Sequence, residues 1–195
     1  MMFGAYPFFM FACTDVILQK LPNSSESPNL LLIVHGSGDT VEDWPTDMQS
    51  RILDSLSVDN NSEDNSWDVW TYDWDEYASS KLSASKSGYE LGELLGSHLL
   101  EPSYSYEHIH LIAHSAGSFV IHGMAETLSH EDDLITIHST FLDPFAGNGM
   151  INWKYGERNF GQYAHFAESY YNKDDSVPST NGSLNFAHNF DGPVC

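Results

Sequence analysis

The chain has 195 residues, the usual size of one domain, and it is 41% hydrophobic and 13% aromatic, which is enough apolar material for a core. Seven basic residues stand against 28 acidic ones, a formal net charge of −21, which excludes a basic surface for nucleic acid or an anionic membrane. The two cysteines, Cys13 and Cys195, exclude a disulfide-rich mini-domain and a cysteine-based zinc finger. We therefore expect a single domain over residues 1–195.

The N-terminal region does not carry the features of a membrane protein. The apolar run at residues 8–13 is short, and no basic residue precedes it. Nowhere does the chain reach the roughly 20 consecutive apolar residues that a transmembrane helix needs. The sequence predicts a soluble protein without a clear signal peptide or integral membrane segment, and it leaves compartment and oligomeric state open.

Strands and helices alternate along the chain. The aliphatic run LLLIV at residues 30–34 is typical of a strand buried on both faces, and it ends in a glycine loop. The elements that follow are a helix at 44–56, a strand at 67–74, a helix at 89–100, a strand at 108–113, a helix at 119–128 and a strand at 134–142. Residues 166–171 indicate one more strand. This alternation predicts an α/β fold with a mostly parallel sheet and helices on both faces.

Chemically useful residues follow three of the predicted strands. The carboxyl ends of parallel strands share one edge of the sheet, so we expect the loop of His35, Gly36 and Ser37 to meet Ser115 and Asp143 there. The segment AHSAG at 113–117 matches the G-x-S-x-G nucleophile elbow with alanine at its first position. The serine of an elbow occupies a strained strand-to-helix turn, where larger neighbours would collide with adjacent backbone.

Four motifs occur in an order that resembles the α/β-hydrolase superfamily, and most closely its lipase-type serine esterase branch. They are LIVHGSG at 32–38, YDWDEY at 72–77, IHLIAHSAG at 109–117 and FLDPF at 141–145. The resemblance implies that Ser115 is the catalytic nucleophile and that Asp143 orients the base. It also implies an oxyanion hole formed by the backbone N–H groups of Ser37 and Ala116. No cofactor is predicted.

The base is the least determined member of this predicted triad. In the expected chain order it follows Asp143, which leaves His165 and His188. His165 precedes a strand, whereas His188 follows a turn-rich loop, so His188 is the better catalytic candidate. The lipase-type resemblance places a comparable histidine upstream of the true base. Two alternatives therefore stay open: His188 is the base, or the chain is a fragment whose base lies beyond residue 195.

The predicted function is hydrolysis of carboxylic esters, with a small-molecule or lipid ester as substrate and an acyl-enzyme intermediate. Thioester or amide cleavage on the same fold is a further possibility. The alternative is a catalytically impaired or non-enzymatic binding protein on a hydrolase fold, with the base absent or displaced.

Other histidines and acidic residues have structural explanations. His35 is expected to be a structural histidine beside its loop. His108 and His110 lie two apart on a strand and share a face, but no third ligand is evident, so no metal site is predicted. The acidic run at 59–68 is expected to be a solvated loop, with calcium binding as an alternative. Residues 145–164 are expected to form a packed helix rather than an aromatic flap.

Overall fold

A six-stranded parallel sheet forms the centre of the structure. The computed structural model describes residues 25–59, 66–78, 83–149 and 151–192. The strands are β1 (Asn29–Val34), β2 (Trp67–Tyr72), β3 (His108–His114), β4 (Thr136–Leu142), β5 (Phe166–Tyr171) and β6 (His188–Asp191). Their order across the sheet is β2-β1-β3-β4-β5-β6, and every neighbouring pair is parallel. Both cysteines and most of the acidic run at 59–68 lie outside the described residues.

Helices pack on both faces of this sheet. They are α1 (Pro45–Asp59), α2 (Asp75–Ala78), α3 (Ala84–Leu99), α4 (Gly117–Glu131) and α5 (Tyr155–Asn159). Helix α1 covers one face through Met48 and Ile52, and α3 and α4 cover the other. The predicted α/β class, with a parallel sheet between helices, is confirmed. Within the described ranges, no helix has both the length and the apolar character required to cross a bilayer.

Strand β1 is buried on both sides, as its aliphatic sequence predicts. Leu30, Leu32 and Val34 belong to the large core under α3 and α4. Leu31 and Ile33 belong to the smaller core under α1. Successive strand side chains point to opposite faces, so a run without polar residues can supply both cores at once.

Helices α3 and α4 approach each other closely at a glycine. A Cβ atom at Gly92 would lie 2.1 Å from the backbone oxygen of Val120, so no larger residue fits at this crossing. Leu91, Leu95 and Leu99 form the predicted buried stripe of α3. Leu94, predicted on the same stripe, is 38% exposed, because it lies one position off the buried face.

Several element boundaries differ from the sequence prediction. Strand β2 ends at Tyr72 rather than at residue 74. The reason is His35, whose Nε2 lies 3.2 Å from Trp74 N and 3.2 Å from Asp73 Oδ1 and so takes these residues out of the ladder. Helix α3 begins at Ala84, five residues before the predicted start, and β4 begins at Thr136, two residues later than predicted.

The segment between β4 and β5 contains a short packed helix rather than a long one. Helix α5 has five residues. Phe160 directly after it is fully buried and stacks on Phe141, with ring centroids 5.4 Å apart. Trp153, before the helix, is exposed. Some aromatic residues of this segment therefore pack into the core, as Phe160 does, and others, such as Trp153, stay exposed.

Candidate active site

Ser115 occupies a sharp turn between β3 and α4. Its φ angle is 49°, in the left-handed region that serine seldom adopts. The turn is held from both directions, because Ser115 N donates to Leu142 O at 3.0 Å and Ser115 O accepts from Phe145 N at 3.1 Å. Both contacts come from β4 and the residues after it. The strained strand-to-helix turn expected of the AHSAG motif is therefore present.

Small residues around the turn allow close approach to β1. A Cβ atom at Gly117 would lie 2.5 Å from the backbone oxygen of His35. A Cβ atom at Gly36 would lie 2.8 Å from His114 Nδ1 and 3.2 Å from Ser115 Cβ. The glycine loop after β1 and the turn after β3 thus touch through positions that have no side chain.

Ser37 and Ala116, the predicted oxyanion-hole residues, border the same small cavity as Ser115. Ala116 directly precedes α4, where backbone N–H groups and the helix dipole favour negative charge. The Ser37 hydroxyl donates to Ala78 O, which fixes the loop after β1 against the end of α2. Ser37 and Ala116 therefore both lie at the cavity that Ser115 borders.

Asp143 occupies the position on β4 that corresponds to Ser115 on β3. His114 pairs with Leu142 in the parallel register, so each residue is the first one beyond its strand. Asp143 also has a left-handed backbone, with φ 46°, and its N donates to Tyr170 O at 2.7 Å. The carboxyl end of the sheet therefore brings Ser115 and Asp143 side by side.

One carboxylate oxygen of Asp143 is buried without a partner. Among the described residues, no donor reaches Asp143 Oδ1. Burial raises the pKa of the Asp143 carboxyl and nearby Asp175 raises it further, whereas His114 and the backbone N–H of Asn172 lower it. A buried acceptor without a hydrogen bond costs about 1–3 kcal/mol. This oxygen is therefore poised to accept a hydrogen bond from an N–H donor.

A histidine and carboxylate pair lies directly beside Ser115, and the sequence analysis did not predict it. His114 Nδ1 is 3.1 Å from Asp39 Oδ2, which links the turn after β3 to the loop after β1. The edge of Trp44 packs against the His114 ring, with centroids 6.0 Å apart. An acidic residue two positions after Ser37 was the available signal, but aspartate in a glycine loop is more often a turn former.

His35 has the structural role that the sequence predicts. It is fully buried, and its Nδ1 lies 2.8 Å from Gly36 O. Trp74 Nε1 donates to His35 O at 2.9 Å. His35 therefore connects the ends of β1 and β2 and supports the loop that carries Ser37.

The structure does not bring His188 to Ser115 and Asp143. His188 begins β6 and pairs with Glu168, which in turn pairs with Thr140. It thus lies two strands across and three residues back from Asp143, roughly 14 Å away at standard sheet spacings. Its ring contacts Phe166, with centroids 5.2 Å apart.

His165 is also remote from Ser115. Its Nδ1 accepts a hydrogen bond from Ile137 N near the beginning of β4. Strand β4 runs from there to Leu142, so His165 lies toward the opposite edge of the sheet from Ser115. Neither histidine that follows Asp143 in the chain is therefore placed to accept the Ser115 proton.

His110 stacks on His138 rather than pairing with His108. The two ring centroids are 3.8 Å apart and the ring planes are almost parallel, and His110 Nε2 lies 2.9 Å from Thr140 Oγ1. Burial, with a smaller effect of His138, lowers the pKa of His110 to about 3. In the part of the chain that the structure describes, no group of three or more His, Cys, Asp or Glu side chains is arranged to hold a metal ion.

Comparisons with known proteins add no assignment to this site. Neither the protein-family models nor the curated proteins compared with the chain gave a match. Its function is therefore inferred from the placement of Ser115, Asp143 and the residues around them.

Proposed function

We propose that the chain is a serine hydrolase of the α/β-hydrolase type that cleaves carboxylic esters. The observation that carries this proposal is the pair of left-handed residues at the ends of neighbouring strands, Ser115 at the start of a helix and Asp143 beside it. Backbone strain of this kind persists where the surrounding structure holds it, and it clusters at active sites.

The proposed reaction is acyl transfer through Ser115. A base removes the Ser115 hydroxyl proton as Oγ attacks the ester carbonyl carbon, and the negative charge passes to the carbonyl oxygen. Backbone N–H groups of Ala116 and Ser37 donate to that oxygen, and each donor is worth about 3 kcal/mol. The alcohol then leaves with the proton, and water hydrolyses the acyl-enzyme by the same steps.

Asp143 has the role of orienting the base. Its unpartnered Oδ1 would accept the N–H of an imidazole whose second nitrogen faces Ser115 Oγ. His188 does not fill this role where it lies in β6. We assign the base to an imidazole that reaches Asp143 Oδ1, and the experiment below determines whether this chain supplies it.

A second candidate function is binding without turnover on the same fold. The observation that favours it is the distance of His188 from the nucleophile, together with the unpartnered Asp143 oxygen. A site with an oxyanion hole and no base binds an ester and reacts with it only slowly.

Reaction with a fluorophosphonate probe, read by intact mass, separates these possibilities. The wild-type chain, Ser115→Ala and the control Ser118→Ala are treated with and without added imidazole. Ser118 is fully buried in α4 and its hydroxyl has no described partner, so its removal should leave the turn intact.

Labelling of wild type and Ser118→Ala but not of Ser115→Ala supports the hydrolase. Labelling without imidazole shows that the chain contains its base. Labelling only with imidazole shows that the hydrolase site lacks a base, which supports the binding function for the chain alone. A folded wild-type chain that is unlabelled under both conditions would refute the proposal.

A further inference from the structure

A small, largely apolar cavity adjoins the nucleophile. Its volume is about 140 Å³. The described residues that line it are Ser37, Ala84, Ser115, Ala116, Phe145 and Val177. Apart from the two serines, every lining side chain among the described residues is a hydrocarbon, so the cavity suits an aliphatic group attached to the reacting carbonyl.

The position of the cavity distinguishes the two halves of an ester. Asp143 is not among its described lining residues; its carboxyl accepts a hydrogen bond from the Asn172 backbone and interacts electrostatically with His114 and Asp175. The base that Asp143 orients must also protonate the leaving alcohol, so the alcohol departs on the Asp143 side. The cavity on the Ala84 and Phe145 side is then left for the acyl chain.

The volume limits the length of that chain. An apolar protein cavity of about 150 Å³ accommodates one benzene molecule, with six carbon atoms. By that measure the cavity next to Ser115 holds an aliphatic chain of about four to six carbon atoms. A long lipid acyl chain would extend past Val177, which is half exposed at the cavity.

The walls of the cavity are fixed by the fold. Ala84 and Ala116, at the starts of α3 and α4, are both buried. The Phe145 ring lies so close to Gly147 that a Cβ atom there would be 2.9 Å from Phe145 Cζ. Phe145 also packs against the main core. Among the described lining residues, Phe145 is therefore the one aromatic side chain that bounds the cavity.

We propose, building on the esterase function proposed above, that this cavity is the acyl pocket and that it selects esters of short aliphatic acids, with Phe145 setting the length. The class of substrate is a short-chain carboxylic ester rather than a long-chain lipid. Phe145 acts as a specificity-determining residue because it bounds the cavity without taking part in bond making.

Alkylboronic acids from methyl to decyl test the pocket without a need for turnover. The Ser115 oxygen forms a bond with boron and its proton is released, which gives a tetrahedral adduct in the oxyanion hole. Affinities are measured by calorimetry for the wild-type chain, Phe145→Ala, Val177→Phe and Ser115→Ala. Phe166→Ala is the matched control, because Phe166 is 45% exposed on β5 and does not line the cavity.

Wild-type affinity should rise about fourfold per methylene up to butyl or hexyl and then stop rising. Phe145→Ala should move the optimum to octyl or longer, and Val177→Phe should weaken hexylboronic acid by about tenfold. Phe166→Ala should change neither the chain length that binds best nor the affinity for hexylboronic acid. Affinity that rises steadily to decyl in wild type, or an optimum that neither variant moves, would overturn the acyl pocket.

Failure of the esterase proposal has a different signature. Equal affinities of wild type and Ser115→Ala for every boronic acid would show that no bond to Ser115 forms. That result would refute the nucleophile and the acyl pocket together. Adducts that depend on Ser115 but show no chain-length optimum would refute the pocket alone. Val177 lies at the surface, so Val177→Phe keeps the test informative if Phe145→Ala does not fold.

Discussion

Replacing Gly117 by alanine tests how tightly the turn that carries Ser115 packs against β1. The new methyl group would lie 2.5 Å from His35 O and 3.0 Å from Val34 O, whereas ordinary contact begins at 3.4 Å. Both obstacles are backbone atoms at the end of a strand that is paired on both sides. The turn must therefore move away from β1 by nearly an ångström.

The cost can be worked from these contacts. Overpacking of this kind costs about 1–3 kcal/mol, and rigid backbone places Gly117 at the upper end. Alanine recovers less than about 1 kcal/mol through its better helix propensity. We expect a net loss of about 2 kcal/mol in the free energy of unfolding, or a melting temperature lower by about 4–8 °C for a domain of this size.

Urea unfolding of Gly117→Ala beside Gly192→Ala measures this loss. A Cβ atom at Gly192 meets nothing within 4 Å, so that variant should match the wild type. Probe labelling of Ser115 in Gly117→Ala should slow by about 100-fold, because a shift of this size displaces Ala116 from Ser37. A Gly117→Ala protein as stable as wild type would show that the turn does not lie this close to β1.

Two further predictions concern ionisable groups. Asp143→Asn should leave the free energy of unfolding at pH 7 unchanged or raise it, because burial and Asp175 disfavour the charged carboxylate. Imidazole-dependent labelling of Ser115 should fall by orders of magnitude in the same variant. An unfolded variant or unimpaired labelling would contradict this prediction. Burial lowers the pKa of His110 to about 3 and that of His122 to about 4, from 6.5. Both then bind protons mainly in the unfolded chain, so the free energy of unfolding should fall as the pH drops from 6.5 towards 4. In urea titrations, His122→Asn should reduce the dependence of the free energy of unfolding on pH, and the exposed control His108→Asn should not. Equal pH dependence in the two variants would refute the role given to buried His122.

The strand ends could be predicted from the sequence because local patterns determine them. A five-residue aliphatic run that ends in a glycine loop is too short for a typical helix and favours a strand with two buried faces, and β1 is one. Small residues around Ser115 indicate a tight turn, and the turn is present. The alternation of elements implies parallel strands, which places Ser115 and Asp143 at one edge of the sheet.

The features of the fold and the site that the sequence did not predict depend on contacts between distant residues or on weak local patterns. Strand β6 consists of four exposed residues, so no alternation marks His188 as the beginning of a strand. The contact of Asp39 with His114 joins residues 75 positions apart. The early end of β2 depends on the buried ring of His35, which only the folded arrangement brings to Trp74.

The left-handed conformations of Ser115 and Asp143 lower the stability of the fold in order to place the two side chains at the proposed site. Each conformation costs a non-glycine residue of this kind about 1–2 kcal/mol, and glycine would adopt it without that cost. Random variation screened only for resistance to heat should therefore accumulate glycine at these two positions. Descendants of this chain that keep serine and aspartate there would reveal selection for what the two side chains do, and descendants that lose both would mark the lineages in which that selection ended.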